Sequence, residues 1–249
     1  MIDTHCHIYK EYYEDIDSLV NEIKASGVTK VIVNGCDMKS NLEVLELVSK
    51  YDIVYGALGF HPTELDNFSI EDLNWLEDHI NDDKIVAIGE IGLDYHYEDT
   101  DKEIQKDVFF KQLEIASKYN KPVIVHSRDA IQDTYDMLSK FKIRGSIHSF
   151  SGSVEMANEF IKLGYYIGIG GVCTFKNAKN IINVIKNIQL SYILLETDAP
   201  YLTPEPYRGK KNTSAYIPII AGKVAEIKGE TLSKVCQMTT QNANSLFDF

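Results

Sequence analysis

Two hydrophobic periods alternate along this chain. Runs such as "KVIVN" at 30–34 and "PVIVH" at 122–126 are apolar without a break or at every second position, as β-strands are. Between them, stretches such as "NLEVLELVSKY" and "EIQKDVFFKQLEIASKY" place apolar residues at three- and four-residue intervals, the period of a helix with one buried face. The strand-like runs fall at 2–7, 30–34, 53–60, 85–93, 122–126, 145–150, 165–170 and 192–198, which makes eight. Their spacing of about 30 residues is that of a βα repeat. The closing stretch "AYIPIIAGKVAEIKGETLSKVCQMTTQNANSLF" predicts two more helices, the first stopped at Gly229 and the second capped by Thr231. This alternation fits an α/β chain folded as a TIM-like (β/α)8 barrel of parallel strands, with residues 1–249 forming one domain. Residues 199–214, "APYLTPEPYRGKKNTS", follow neither period and are a candidate rim loop.

Composition narrows the setting. With 44% hydrophobic and 25% charged residues the chain can fill a core and keep a polar surface, and no run approaches the ~18 apolar residues of a membrane span. Cys6, Cys36, Cys173 and Cys236 form no close pair, which predicts reduced thiols. Strand-like sequence begins at Ile2 with no basic and apolar leader before it, so the cytoplasm is the expected location. The formal net charge of −12 repels nucleic acid, so a polyanionic substrate would need a local positive feature such as bound divalent ions.

Polar residues gather where the strands end. In "DTHCH", Asp3, His5 and His7 share one strand face, spaced about 6.5–7 Å apart, and Cys6 points the other way as packing. His61 follows the third run, Glu90 lies inside the fourth, His126 ends the fifth, His148 lies near the end of the sixth and Asp198 ends the eighth. In a parallel barrel these ends converge on one face. A carboxylate inside "IVAIGEIGL" would be very costly unless paired, and a metal ion would remove that cost. His5, His7, Glu90, His126, His148 and Asp198 exceed the needs of one tetrahedral site, which predicts two divalent ions bridged by Glu90. His5, His7 and Asp198 are expected on one ion, and His126 and His148 on the other. Such a pair suits hydrolysis, particularly displacement at phosphorus. Glu90, Asp198 as general base and His61 are the candidate catalytic residues, although His61 before Pro62 also suits an ordinary turn.

The pieces "DTHCH", "GFHPTE", "IGEIGLDYH", "PVIVHSRDA", "IHSFSGS", "LLETDAPYL" and "NANSLF", in this order across essentially the whole chain, resemble the TatD family of metal-dependent deoxyribonucleases in the amidohydrolase superfamily. The resemblance implies a TIM-like barrel, divalent metal dependence, DNase activity, often from a 3′ end, and the same six metal ligands. It also implies, for some relatives, deacylation of D-aminoacyl-tRNA. One departure is Asn212-Thr213-Ser214, where the family commonly has Asn-Glu-Pro, which puts in question the rigidity of that rim. Mg²⁺, Mn²⁺ and Zn²⁺ are the candidate ions: imidazole donors favour the softer ones, whereas nuclease activity in the family goes with magnesium. Arg128, Arg208 and Lys176 are the candidate substrate contacts, with Lys210 and Lys211 beside Arg208, and Phe175, Tyr95 or Tyr201 could stack on a base. The expected partner is DNA, single-stranded or at strand ends, met by a monomer with no membrane association. Two other readings are hydrolysis of an ester or amide such as D-aminoacyl-tRNA, and a metal-binding scaffold without turnover.

Overall fold

The computed structural model of the chain describes residues 1–97 and 101–249. Strands and helices alternate from the first residues: β1 (Ile2–Cys6), α1 (Ile16–Ala25), β2 (Lys30–Asn34), α2 (Met38–Lys50), β3 (Val54–Leu58), α3 (Ile70–His79), β4 (Ile85–Asp94) and α4 (Lys102–Tyr119). The second half continues with β5 (Val123–Arg128), α5 (Ile131–Leu138), β6 (Gly145–Ile147), α6 (Val154–Lys162), β7 (Tyr165–Ile169), α7 (Lys179–Asn187), β8 (Ile193–Leu195), α8 (Ile217–Lys228) and α9 (Leu232–Leu246). Among the described residues, the eight strands form one parallel sheet in chain order. None of the described helices is long and apolar enough to cross a membrane.

The helices start where side chains satisfy their first amides. Asp15, Asp37, Asp101, Ser153 and Thr231 accept hydrogen bonds from backbone N–H groups of the turns they open. Each helix then turns an apolar stripe inward, as Val44, Leu47 and Val48 of α2 do over β2 and β3. Gly229, at φ 66°, ends α8 in the left-handed region where a side chain would be penalised.

The strand faces that turn into the barrel divide by height. Ile32, Ala57, Ala87, Ile124 and Leu194 form an apolar layer, closed from below by Ala243 and Leu246 of α9 and by Phe247. One step further along the same faces come Asn34, His126 and Glu196, so two residues of strand separate the oily floor from the polar mouth.

β6 and β8 are shorter than the hydrophobic runs suggest. Each has three residues, so His148 and Asp198 lie in the loops beyond them rather than within strands. Beyond them side chains join the backbone in holding the chain: Glu196 accepts the Ser149 amide and Asp3 the Thr197 amide. The loop after β8 closes the barrel against β1: the His7 amide donates to Ala199 O at 2.7 Å, the Asp198 amide to His5 O at 2.9 Å, and Cys6 bridges Ala199.

Candidate metal centre

Asp3 anchors the seam beneath the mouth. Its buried carboxylate accepts the Thr197 hydroxyl at 2.5 Å, the Thr197 amide at 3.0 Å and the His5 amide at 3.2 Å. Asn212 donates to Thr197 O at 2.8 Å and to Tyr201 O at 2.6 Å, which ties down the turn that carries Asp198. Thr213 caps the next turn through the Ala215 amide, and Ser214 is buried. In Asn212-Thr213-Ser214 the asparagine therefore straps this turn without the family's Glu and Pro.

Glu90 stands at the centre, buried, and its two oxygens face different imidazoles. Oε2 lies 3.4 Å from Nε2 of both His5 and His7. Oε1 lies 2.7 Å from His148 Nε2, 2.9 Å from His126 Nδ1 and 3.5 Å from His61 Nε2. Asp198 Oδ1 is 3.6 Å from Nε2 of both His5 and His7, and its side chain keeps 16% exposure toward the mouth. Three donor groups result: His5–His7–Glu90, His5–His148–Asp198 and His61–Glu90–His126, the donor atoms of each within 4.8 Å of one another.

The surroundings orient these rings. His7 donates from Nδ1 to Asn34 O at 3.0 Å, which leaves the Nε2 lone pair facing inward. His126 is reversed: its Nε2 donates to Asp94 Oδ2 at 3.0 Å and its Nδ1 faces Glu90. His61 differs again, because its Nδ1 accepts the Thr63 amide at 3.2 Å, so Nε2 carries the proton and points at Glu90. His5 stacks on His148 with centroids 3.9 Å apart. Pairs of nitrogens meet at 3.1 Å, His5 Nε2 with His7 Nε2 and His126 Nδ1 with His148 Nε2. Lone pairs so close repel unless a proton or a cation lies among them, so the donor set fits divalent ions by its own chemistry.

The electrostatics agree. Burial alone would raise Glu90, but His148 beside it, with the other imidazoles of the mouth, holds it well below the usual carboxylate range. Burial lowers His61, so its ring is neutral near pH 7. Burial also raises Glu196, to about 8; it accepts the Ser149 amide at 2.5 Å beneath His148. A methyl group at Gly168 would come within 2.3 Å of Glu196 Oε2, so only glycine leaves room for that carboxylate.

The structure brings all six expected ligands and His61 around one cavity or its floor, but it groups them differently. His148 closes a triad with His5 and Asp198, and His61 sits with His126. Asp94, Asn34 and Glu196, which position the ligands, escaped the sequence reading, although Asp94 is four residues after Glu90 on one strand and Glu196 two before Asp198. Cys36 also lines the cavity, its Sγ 3.9 Å from His7 Nδ1 and from Glu90 Oε2. Of the expected basic substrate contacts Arg128 alone lines this cavity of about 530 Å³, together with Tyr201 from the expected stacking residues. Arg208 instead lies over the Phe175 ring at 4.0 Å, and Lys176 is exposed outside the cavity lining.

Comparison with known proteins places this architecture. The family model described as TatD related DNase matches residues 2–248. A Bacillus subtilis protein named uncharacterized metal-dependent hydrolase YabD is 39% identical, the match covering 99% of this chain and 98% of that one. Escherichia coli YcfH, with the same description, is 34% identical over 99% of this chain and 95% of its own length. The crystal structure of YjjV, a TatD homologue from E. coli, superposes with a TM-score of 0.95 at 32% identity, covering 100% of this chain and 98% of that one. With its eight-stranded barrel and histidine-rich mouth, this chain belongs to the TatD family of metal-dependent hydrolases.

Proposed function

We propose that the protein is a deoxyribonuclease that removes nucleotides from single strands or strand ends, with two divalent ions that Glu90 and the imidazoles around it would hold. The observation that carries this reading is the division of labour at Glu90: one carboxylate, two oxygens, each facing its own set of imidazoles. Divalent ions held there supply an activated water and neutralise charge at the scissile phosphate. His5, His7, His126, His148 and Asp198 are the remaining donors. Asp198, open to the mouth, accepts the proton of the attacking water. His61, with a neutral ring and Nε2–H aimed inward, donates a hydrogen bond to the oxygen that leaves. Asp94 fixes the tautomer of His126, and Arg128 at the mouth meets non-bridging phosphate oxygens. The description of the matching family as a DNase family supports the choice of bond.

A second reading, hydrolysis of an ester such as D-aminoacyl-tRNA, draws on one observation. Glu11, Asp37 and Glu64 also line the cavity and suit a substrate bearing an amino group.

The test uses end-labelled single-stranded DNA with chelator-stripped protein, protein restored with Mg²⁺, Mn²⁺ or Zn²⁺, and restored Glu90→Ala. Stepwise shortening that needs metal is expected, with Glu90→Ala slower by on the order of a thousandfold, the several kcal/mol that bound ions contribute. Absence of cleavage with every ion, beside release of amino acid from D-aminoacyl-tRNA, would replace the first reading with the second.

A further inference from the structure

We infer that Tyr201, braced by Tyr12, is the stacking platform for the terminal base of the substrate, so that the enzyme selects a base-bearing end rather than a bare sugar-phosphate chain. This rests on the nuclease reading above. Tyr201 lies three residues after Asp198 in the strapped turn and is 50% exposed; Tyr97, the other half-exposed tyrosine of this cavity, has the Arg128 guanidinium over its ring at 5.6 Å. Its amide donates to Asp198 O at 2.8 Å and its carbonyl accepts from Asn212, so ring and carboxylate are held by one rigid piece of backbone. Its hydroxyl donates to the Tyr12 hydroxyl at 2.8 Å, with ring centroids 5.9 Å apart. On the inner side its centroid is 6.5 Å from that of His7. The aromatic surface therefore runs from a metal-facing imidazole out to solvent.

Charge decides what this surface can hold. Glu11, Asp37 and Glu64 share the cavity with Tyr12 and Tyr201, while its cation is Arg128. Carboxylates repel phosphate, so the part of a nucleotide that suits the tyrosines is the uncharged base, with phosphate left to Arg128 and the metal centre. The other two aromatic candidates are engaged elsewhere. Phe175 lies under the Arg208 guanidinium, and Tyr95 donates to Asp133 at 2.8 Å with Lys102 over its ring. A cavity of about 530 Å³ is of the size that encloses one small molecule, so it takes a terminal residue rather than a length of strand.

The experiment compares kcat/KM on two single-stranded oligonucleotides, one with ordinary termini and one with an abasic tetrahydrofuran residue at each end. Wild type, Tyr201→Ala, Tyr201→Phe and Tyr12→Phe are assayed with the restoring metal. Wild type is expected to favour the base-bearing end by about tenfold, within the range of a base on an aromatic ring, mainly through KM. In Tyr201→Ala that ratio falls toward one, whereas Tyr201→Phe and Tyr12→Phe, each of which keeps the position-201 ring but breaks the bracing hydroxyl pair, lower it only partway and to a similar extent. A wild-type ratio of one with both oligonucleotides cleaved, or an undiminished ratio in Tyr201→Ala, overturns the platform alone. Cleavage of neither oligonucleotide by wild type with any ion overturns the nuclease reading and the platform with it.

Discussion

The floor and the mouth of this barrel are built on the same strands and obey opposite rules. At the floor Ile32, Ala57, Ile124 and Leu194 meet Leu246 and Phe247 in an apolar cluster. A step higher, five imidazoles and two carboxylates crowd together, with the buried Nδ1 atoms of His5 and His148 lacking any hydrogen-bond partner. Burial of apolar surface is favourable on its own, whereas a polar cluster of this kind is held in place by what surrounds it. The comparison teaches where stability and chemistry reside: the floor contributes folding free energy, and the mouth draws on it.

The comparison can be broken from either end. Phe247→Ala opens a cavity in the floor and should lower unfolding free energy by about 3–5 kcal/mol in urea titration, with turnover per folded molecule kept. Loss of turnover in the folded fraction would show that floor and mouth are coupled.

Asp3, at the boundary, supplies the next largest effect. Burial raises its carboxyl to about 6 from 3.8, despite the Ser214 and Thr197 hydroxyls and the His5 and Thr197 amides that pull it down. The folded chain therefore binds this proton more tightly than the unfolded chain, and stability present below about pH 4 is lost as pH rises to about 6, by up to about 3 kcal/mol. The stability difference between wild type and Asp3→Asn should change across that window. A difference that stays constant would mean that Asp3 does not titrate there.

The smallest effect sharpens the comparison most. Asp94→Asn keeps the size of the side chain but no longer holds His126 in one tautomer, and should weaken metal affinity about 10–100-fold with little change in urea midpoint. Isothermal titration with Mn²⁺ or Zn²⁺ measures it, and an unchanged affinity would dismiss Asp94 as an orienting group.

Much of the fold could be read ahead because strand and helix periods are local. All eight strands, the helix break at Gly229 and the gathering of His5, His7, His126 and His148 at strand ends follow from residue spacing. What spacing could not convey is where the regular ladder stops. The expected strands at 145–150 and 192–198 run past Ile147 and Leu195, where the backbone is held by Val125 O, Ile169 O and His5 O together with the Glu196 and Asp3 carboxylates. The orientation of the His126 ring is equally invisible, since Asp94 sets its tautomer from the neighbouring strand. The seating of Arg208 on Phe175, distant in sequence and adjacent in space, could not be read from spacing either.

The seam between β8 and β1 has a consequence in time. Asp3 and Thr197 are 194 residues apart along the chain, yet the centre needs both sides of that seam to be present. At about 5–20 residues per second, synthesis separates them by about 10–40 s. During that interval the emerging chain carries the imidazoles of its first strand with neither Asp198 nor the Asn212 strap to complete them. The polar centre is thus assembled only when the last fifth of the chain begins to appear, late in synthesis however early its first strand is made.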